Sequence, residues 1–464
     1  MQDSSNGTAK SAASFASVSR FSAMSQRIKS NNEPGPGAAA LAGDATTAAG
    51  RKGSQSSTIS SSGGGGTSKA TAARSFLSSG GGGVDASSAA TTTAASSGPL
   101  IEGNVATLGG IDCGEEVISV QHTENGAALL TGLFSGVIKV FNAHAGSVIA
   151  TLDPDSIEDK DDIVGNDNGG GFGRGYPLSR LRCKPYSDAA AGNTLVAATY
   201  ASGHLRVWNY ANSTCVGQVR DERSNAEYLC LSFNPFVDVI AVGEDNGHIK
   251  LYDENTLQVV SLLKKSLDAS KTDGHADRVL CIENHPLNPH EFVSSGYDDT
   301  MQFWDARCPN AVRSAPDVTV CGDGIRFDRR GRDLLVASWR PDNQLQIVDY
   351  STAKARLQFE PEPQSTYLTC AQYLGKDFIV AGGTNRGIVR IYDRHRGTVV
   401  ATVREISGVY DIDVPRRGVA HGAAAAAAAG GGGGPVATPA AVAANKFVMT
   451  SGNNVVTMDY FKSK

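Results

Sequence analysis

One short stretch holds the residue types that nucleophilic catalysis uses. His275, Ser294 and Asp298 offer a base, a hydroxyl and a carboxylate within "GHADRVLCIENHPLNPHEFVSSGYDDTMQFWDAR", which runs from Gly274 to Arg307 and also contains Trp304. A serine becomes a nucleophile where a histidine takes its proton and a carboxylate orients that histidine. The same stretch offers Cys281, His285 and His290 as metal ligands. Their spacing is not a standard zinc pattern, and the two histidines bracket Pro286 in a turn. The segment from Asp153 to Gly175 holds seven acidic residues but lacks the D-x-[DN]-x-[DN]-G order of a calcium loop. It reads as a solvated loop, with docking of a partner as the sharper alternative. The chain has no G-x-x-x-x-G-K-[ST] phosphate loop.

The elements that position these groups are strands. The chain has 464 residues, but the first 98 are mostly Ser, Gly, Ala and Thr. Such a segment has too little apolar surface to offset the entropy of ordering, and a disordered tail is expected there. The tail carries eight Lys or Arg against four Asp or Glu; with −5 for the whole chain, its +4 leaves −9 for residues 99–464. An acidic body lacks the basic face that phosphate backbones need, so nucleic acid is not an expected partner. The eight cysteines include no C-x-x-C pair, and Cys230, Cys281 and Cys370 recur at one position of similar apolar segments. Buried thiols are expected, which suits a reducing compartment better than a disulfide framework. The run of Ala, Gly and Pro around residue 430 reads as a flexible insert and not a span in lipid. No membrane association is expected.

Seven strand endings line up: "GVIKVFN" at Phe141, "GHLRVWN" at Trp208, "GHIKLYD" at Tyr252, "TMQFWD" at Trp304, "QLQIVD" at Val348, "GIVRIYD" at Tyr392 and "NVVTMD" at Met458. The steps between these anchors are 67, 44, 52, 44, 44 and 66 residues. The two long steps contain the acidic and the Ala/Gly inserts, at about 153–177 and 415–444. Within each period, short alternating segments are separated by Gly, Asn or Asp turns, which argues for antiparallel β-structure. A period near 44 fits one four-stranded propeller blade.

On these repeats, residues 99–464 resemble the WD-repeat β-propeller family. The fullest match opens on Gly274-His275 and closes on Trp304-Asp305. The resemblance implies an all-β, seven-bladed ring after the N-terminal tail, closed by an early strand lent to the last blade. Pro99 to Leu108 is the expected lender. Closure removes the exposed edges of an open sheet. The resemblance also assigns His275, Ser294, Asp298 and Trp304 to a structural hydrogen-bond network instead of a catalytic set. With no other nucleophile beside a credible base, no catalytic residue, cofactor or metal is expected.

Propellers bind partners over the wide face around the channel. The expected protein-binding residues there are Tyr200, Tyr228, Glu244, Arg278, Tyr297, Trp339, Arg340, Tyr367, Arg386 and Tyr410, because Tyr, Trp and Arg dominate interface hot spots. The family also includes substrate receptors of cullin-RING ubiquitin ligases, whose motif places Trp-Asp-x-Arg after a small apolar strand. Trp304, Asp305 and Arg307 match it, which makes Asp305 and Arg307 candidate adaptor contacts. The leading expectation is a non-enzymatic scaffold for a multiprotein complex, with the ligase receptor as alternative. A monomeric ring within a larger assembly of proteins is expected. The expected location is cytoplasmic, with nuclear or ciliary sites as alternatives.

Overall fold

The structure, a computed structural model, describes residues 99–157, 176–185, 194–221, 224–359, 366–384, 387–404, 407–415 and 445–461. The tail over 1–98, most of both inserts and Arg386 lie outside these described residues.

Seven antiparallel sheets follow one another along the chain, each one blade. Blade 4 shows the pattern: Val279–Asn284, Glu291–Gly296, Thr300–Asp305 and Arg313–Pro316 pair in sequence order. The second strand of a blade, such as Leu195–Tyr200 or Phe378–Gly383, is almost wholly buried. Outer strands alternate, as in the exposed–intermediate pattern of Thr214–Arg220. That gradient is what a blade with one strand on the axis and one on the rim requires. The seven anchors Phe141, Trp208, Tyr252, Trp304, Val348, Tyr392 and Met458 are all at most 5% exposed.

The core consists of seven apolar clusters, each lying between two neighbouring blades. Trp208, for example, packs against Leu130, Val140 and Leu152 of blade 1. The ring closes because Val448 and Val455 of blade 7 pack with Val117, Leu129 and Phe141 of blade 1. Each such large side chain contributes about 1.5–3 kcal/mol on burial. Stability therefore resides in the blade-to-blade seams, and a single blade has no core of its own.

The closing strand differs in extent from the expected Pro99–Leu108. Leu100–Gly103 pairs with Val399–Arg404 as a fifth strand on blade 6. Val105–Asp112 then pairs with Asn454–Tyr460 and forms the outer strand of blade 7. Gly103 makes the crossing: its φ is +93°, and a Cβ there would lie 2.7 Å from the Val400 carbonyl oxygen. Only glycine fits both the left-handed backbone and the close approach.

Candidate functional site: the mouth of the central channel

The innermost strands of blades 1, 2, 3, 4 and 6 share one irregularity. Their register slips between the first and third residues of the strand, as at Val117/Ser119 and Val279/Cys281. A bulge of this kind turns its unpaired residue out of the ladder. Ile118, Ser179, Leu229, Leu280 and Thr369 are those residues, and all five line one dimple at the channel mouth. Tyr297, Trp339, Thr384 and Tyr410 complete its wall, together with Arg180, Cys321 and Gly322. The cavity is about 40 Å³. Small-molecule pockets run roughly 300–1,000 Å³, so this cavity is small beside them.

Charged groups link the innermost segments of several blades beside the dimple, whose lining includes Arg180. Arg180 Nη1 of blade 2 lies 3.0 Å from Oδ2 of buried Asp411, which leads into blade 7. Arg182 Nη2, also from blade 2, lies 2.7 Å from Asp323, which leads into blade 5. Arg326 pairs with the same Asp323, and with Glu283 at 3.0 Å. Beside them His122 Nδ1 lies 2.8 Å from Asp413. Sequence reasoning missed this layer. Its signal was the alternation of charge with apolar residues in the innermost segments "LSRLRC" and "DID".

The expected binding residues divide into two groups. Tyr297, Trp339, Tyr367, Tyr410, Arg278 and Arg340 are partly exposed around the mouth. The Trp339 and Tyr367 rings stack at 5.2 Å between centroids. Tyr410 donates to Glu116 Oε1 at 3.0 Å, which fixes its ring at the rim. Arg340 sits among Asp299, Asp317 and Asp342, at 3.2, 3.6 and 3.7 Å.

Tyr200, Tyr228 and Glu244, by contrast, are at most 1% exposed and cannot meet a partner. Tyr200 packs into the seam between blades 1 and 2, with the Arg206 guanidinium 4.9 Å from its ring centre. The Tyr228 hydroxyl lies 2.6 Å from that of Tyr252. Glu244 Oε1 lies 2.6 Å from Lys250 Nζ. In blade 3 the anchor is Tyr252, not tryptophan, and these polar side chains turn inward to satisfy it and its neighbours. Period-two alternation cannot tell a turn-flanking side chain that points outward from one that folds back.

His275, Ser294, Asp298 and Trp304 do form one chain of hydrogen bonds. His275 Nδ1 lies 2.9 Å from Asp298 Oδ2, and Nε2 lies 2.7 Å from Ser294 Oγ. Trp304 Nε1 donates to the same Oγ at 2.7 Å. Asp298 also accepts from Ala276 N–H and from Thr300 Oγ1. The order matches that of a catalytic triad, but Ser294 is 0% exposed and its oxygen already serves two partners. No substrate carbonyl can reach it, so the set joins the strands of blade 4.

Of the metal-type residues, His285 and Cys281 have partners elsewhere, and His290 is exposed. His285 Nδ1 accepts from Leu287 N–H at 3.1 Å, so Nε2 carries the proton and donates to the Gly331 carbonyl at 3.1 Å. Cys281 is buried facing Asp323 and the Ile325 carbonyl at 3.9 and 4.0 Å. Among the described residues no group of three or more His, Cys, Asp or Glu could hold a metal ion. Arg307 is exposed, and its Nε and Nη2 fork onto the Asp305 carboxylate at 2.8 and 2.6 Å. This pair holds the Asp305 carboxyl at about 2, below the usual range. No helix among the described residues is long and apolar enough to cross a membrane.

Comparison with known proteins agrees with the architecture. The family model "WD domain, G-beta repeat" matches residues 268–305, the blade that carries the full hydrogen-bond network. The chain is 25% identical over 252 residues to the ribosome biogenesis protein WDR12 homolog of Ixodes scapularis, covering 52% of this chain and 53% of that protein. It is 28% identical over 182 residues to ribosome biogenesis protein YTM1 of Candida albicans, covering 38% and 37%. It is 26% identical over 172 residues to pre-mRNA-processing factor 19 of Mus musculus, covering 36% and 31%. The chain thus spans about half or less of the length of these curated relatives. Seven sheets in a closed ring, a matched repeat and relatives of this kind lead to one conclusion: the chain is a WD-repeat β-propeller protein.

Proposed function

We propose that this propeller is a non-enzymatic scaffold that assembles a multiprotein complex, with one partner held over the channel mouth. The observation that carries the reading is the stacked pair Trp339–Tyr367 beside a dimple of about 40 Å³ whose lining includes Arg180, itself paired with Asp411. A shallow socket with aromatic walls fits an inserted side chain of a partner protein, and Tyr297, Tyr410, Arg278 and Arg340 surround it. Buried aromatics near the centre of an interface carry most of its energy. The relatives' names, ribosome biogenesis and pre-mRNA processing, describe work on multicomponent assemblies. They support a nuclear location over a cytoplasmic one.

A substrate receptor for a cullin-RING ligase is the second reading. Its support is the exposure of Arg307 at the end of Trp304-Asp305-x-Arg307, although that guanidinium is turned onto Asp305. One experiment separates the two. Affinity purification with mass spectrometry is run on the intact chain, on Trp339→Ala/Tyr297→Ala and on Arg307→Ala. The scaffold reading requires specific partners that the aromatic double variant loses, with at least roughly tenfold weaker binding. Loss of a cullin adaptor on Arg307→Ala alone supports the ligase reading. Partners indifferent to both variants would remove the mouth and Arg307 together as binding sites.

A further inference from the structure

The face opposite the mouth carries the turns between first and second strands and between third and fourth strands. In blade 5 the first of these turns reads "DRRGRD", Asp328 to Asp333. It is a built turn. The Asp328 carboxylate accepts from the Arg332 and Asp333 N–H groups at 2.8 and 3.0 Å, and Gly331 adopts φ +65°. Pinned in this way, it presents Arg329, Arg330 and Arg332 to solvent. The turns of blade 6 add exposed Lys376 and Arg396. The two blades meet here, because Arg394 of blade 6 lies 3.2 Å from Asp333 of blade 5.

Most acids of this sector are already in use; Asp377, beside Lys376, lies 3.5 Å from His395 Nε2 and stays half exposed. Asp333 is shared by Arg356 and Arg394, and Asp349 is taken by Arg356 and by Ser351. Asp393 accepts from the backbone of His395 and Arg396. The charge of Arg396 acts on the Asp393 carboxyl, whereas among the described residues no ion pair is formed by Arg329, Arg330, Arg332 or Lys376. Like charges gathered on rigid neighbouring turns repel one another, and an anionic partner relieves that cost. The cluster stands out because residues 99–464 carry a net charge of −9.

We infer that this sector of blades 5 and 6 is a docking site for an acidic protein segment, one rich in Asp and Glu. Arginine forks match carboxylates bidentately, and they predominate here over lysine. A nucleic-acid strand fits less well. Single-stranded binding needs aromatic platforms beside the cations. The nearby ring, Tyr373, is covered by the Arg394 guanidinium at 4.8 Å. An extended polyphosphate would also run off the patch onto an acidic body. The site lies on the face away from the channel mouth, so it can be occupied together with the first.

The test uses the full chain and a fluorescein-labelled peptide of alternating glutamate and serine, read by anisotropy at low and high salt. A labelled polyuridine oligonucleotide serves as the second probe. The peptide is expected to bind more tightly than the oligonucleotide and to weaken with salt. Arg329→Glu/Arg330→Glu is expected to lose roughly tenfold in affinity, Arg329→Gln/Arg330→Gln less, and Arg396→Glu a comparable further factor. Lys264→Glu/Lys271→Glu, on the other face, should leave binding unchanged with the same melting temperature. The inference is overturned by absence of peptide binding, by equal loss in the Lys264/Lys271 variant, or by tighter binding of the oligonucleotide.

Discussion

Arg180 Nη1 and Asp411 Oδ2 meet at 3.0 Å across the channel, and that same carboxylate oxygen accepts from Ser119 Oγ and Val120 N–H, each at 3.0 Å. One carboxylate therefore joins blades 7, 1 and 2 at the ring's closure point. Both charged side chains are nearly sealed from water, at 7% and 1% exposure. Removing one partner of such a pair strands the other charge, which costs about 3–5 kcal/mol, whereas an apolar pair of similar volume can be neutral. Asp411→Ala is therefore expected to lower the urea midpoint by an amount equivalent to about 3–5 kcal/mol. Arg180→Met/Asp411→Leu should recover at least half of that loss. If the double variant is as unstable as the single one, the backbone and Ser119 contacts, not the ion pair, hold the junction.

The divided closing segment makes a second prediction. Leu100–Gly103 adds only a short, largely exposed strand to blade 6. Val105–Asp112 supplies the outer strand of blade 7. Deleting through Gly103 is expected to cost a small fraction of stability. Deleting through Asp112 should expose the Asn454–Tyr460 edge and abolish a cooperative thermal transition. The point substitution Gly103→Val forces a branched side chain into φ +93° and against Val400 and Ala401, and should cost about 2 kcal/mol or more. Differential scanning calorimetry on the three variants checks the order.

Buried thiols give a third. Desolvation pushes the thiols of Cys230, Cys281 and Cys370 upward, the last to about 12. A thiol reacts through its thiolate, so these three should resist Ellman's reagent at neutral pH in the folded protein. Cys308, partly exposed in the turn after Arg307, should react first. Mass mapping of the labelled sites decides this, and rapid labelling of Cys281 would show that the blade 4–5 seam opens in solution.

Much of the ring was legible in the sequence, because the hydrophobic anchor recurs at steps of 44 residues in three of six intervals, and the anchors from Phe141 to Met458 are all buried. Repetition averages out local ambiguity. The orientation of single side chains at turns has no such redundancy. Tyr297 and Tyr200 occupy equivalent places at the end of a second strand, yet one borders the mouth and the other is sealed in a seam. The difference comes from what each blade offers the anchor. Blade 4 satisfies Trp304 with Ser294, whereas blade 2 packs Tyr200 in the same cluster as Trp208. The Arg182–Asp323 bridge was illegible for another reason. Its partners stand 141 positions apart and meet only because the ring brings blades 2 and 5 to one axis.

The blade 4 network makes the last prediction, and its sign follows from Asp298. Burial alone would raise this carboxyl, but hydrogen bonds from His275, Ala276 N–H and Thr300 outweigh it and bring the pKa below the ordinary 3.8. A carboxyl whose folded pKa is depressed contributes stability that is complete above its unfolded pKa and is lost as pH falls through the folded one. Wild-type protein should therefore hold its stability down to about pH 4 and lose it below, with Asp298 among the groups responsible. Asp298→Asn should be less stable at neutral pH and should show a shallower decline in acid, because the titrating group is gone. Ser294→Ala tests the network without touching the carboxylate. It leaves Trp304 Nε1 without an acceptor and should cost about 2 kcal/mol at every pH, with an acid profile parallel to wild type. Urea titrations of the three proteins from pH 7 to about pH 3 separate these outcomes. A wild-type profile that Asp298→Asn reproduces in shape would remove Asp298 as a source of the acid sensitivity.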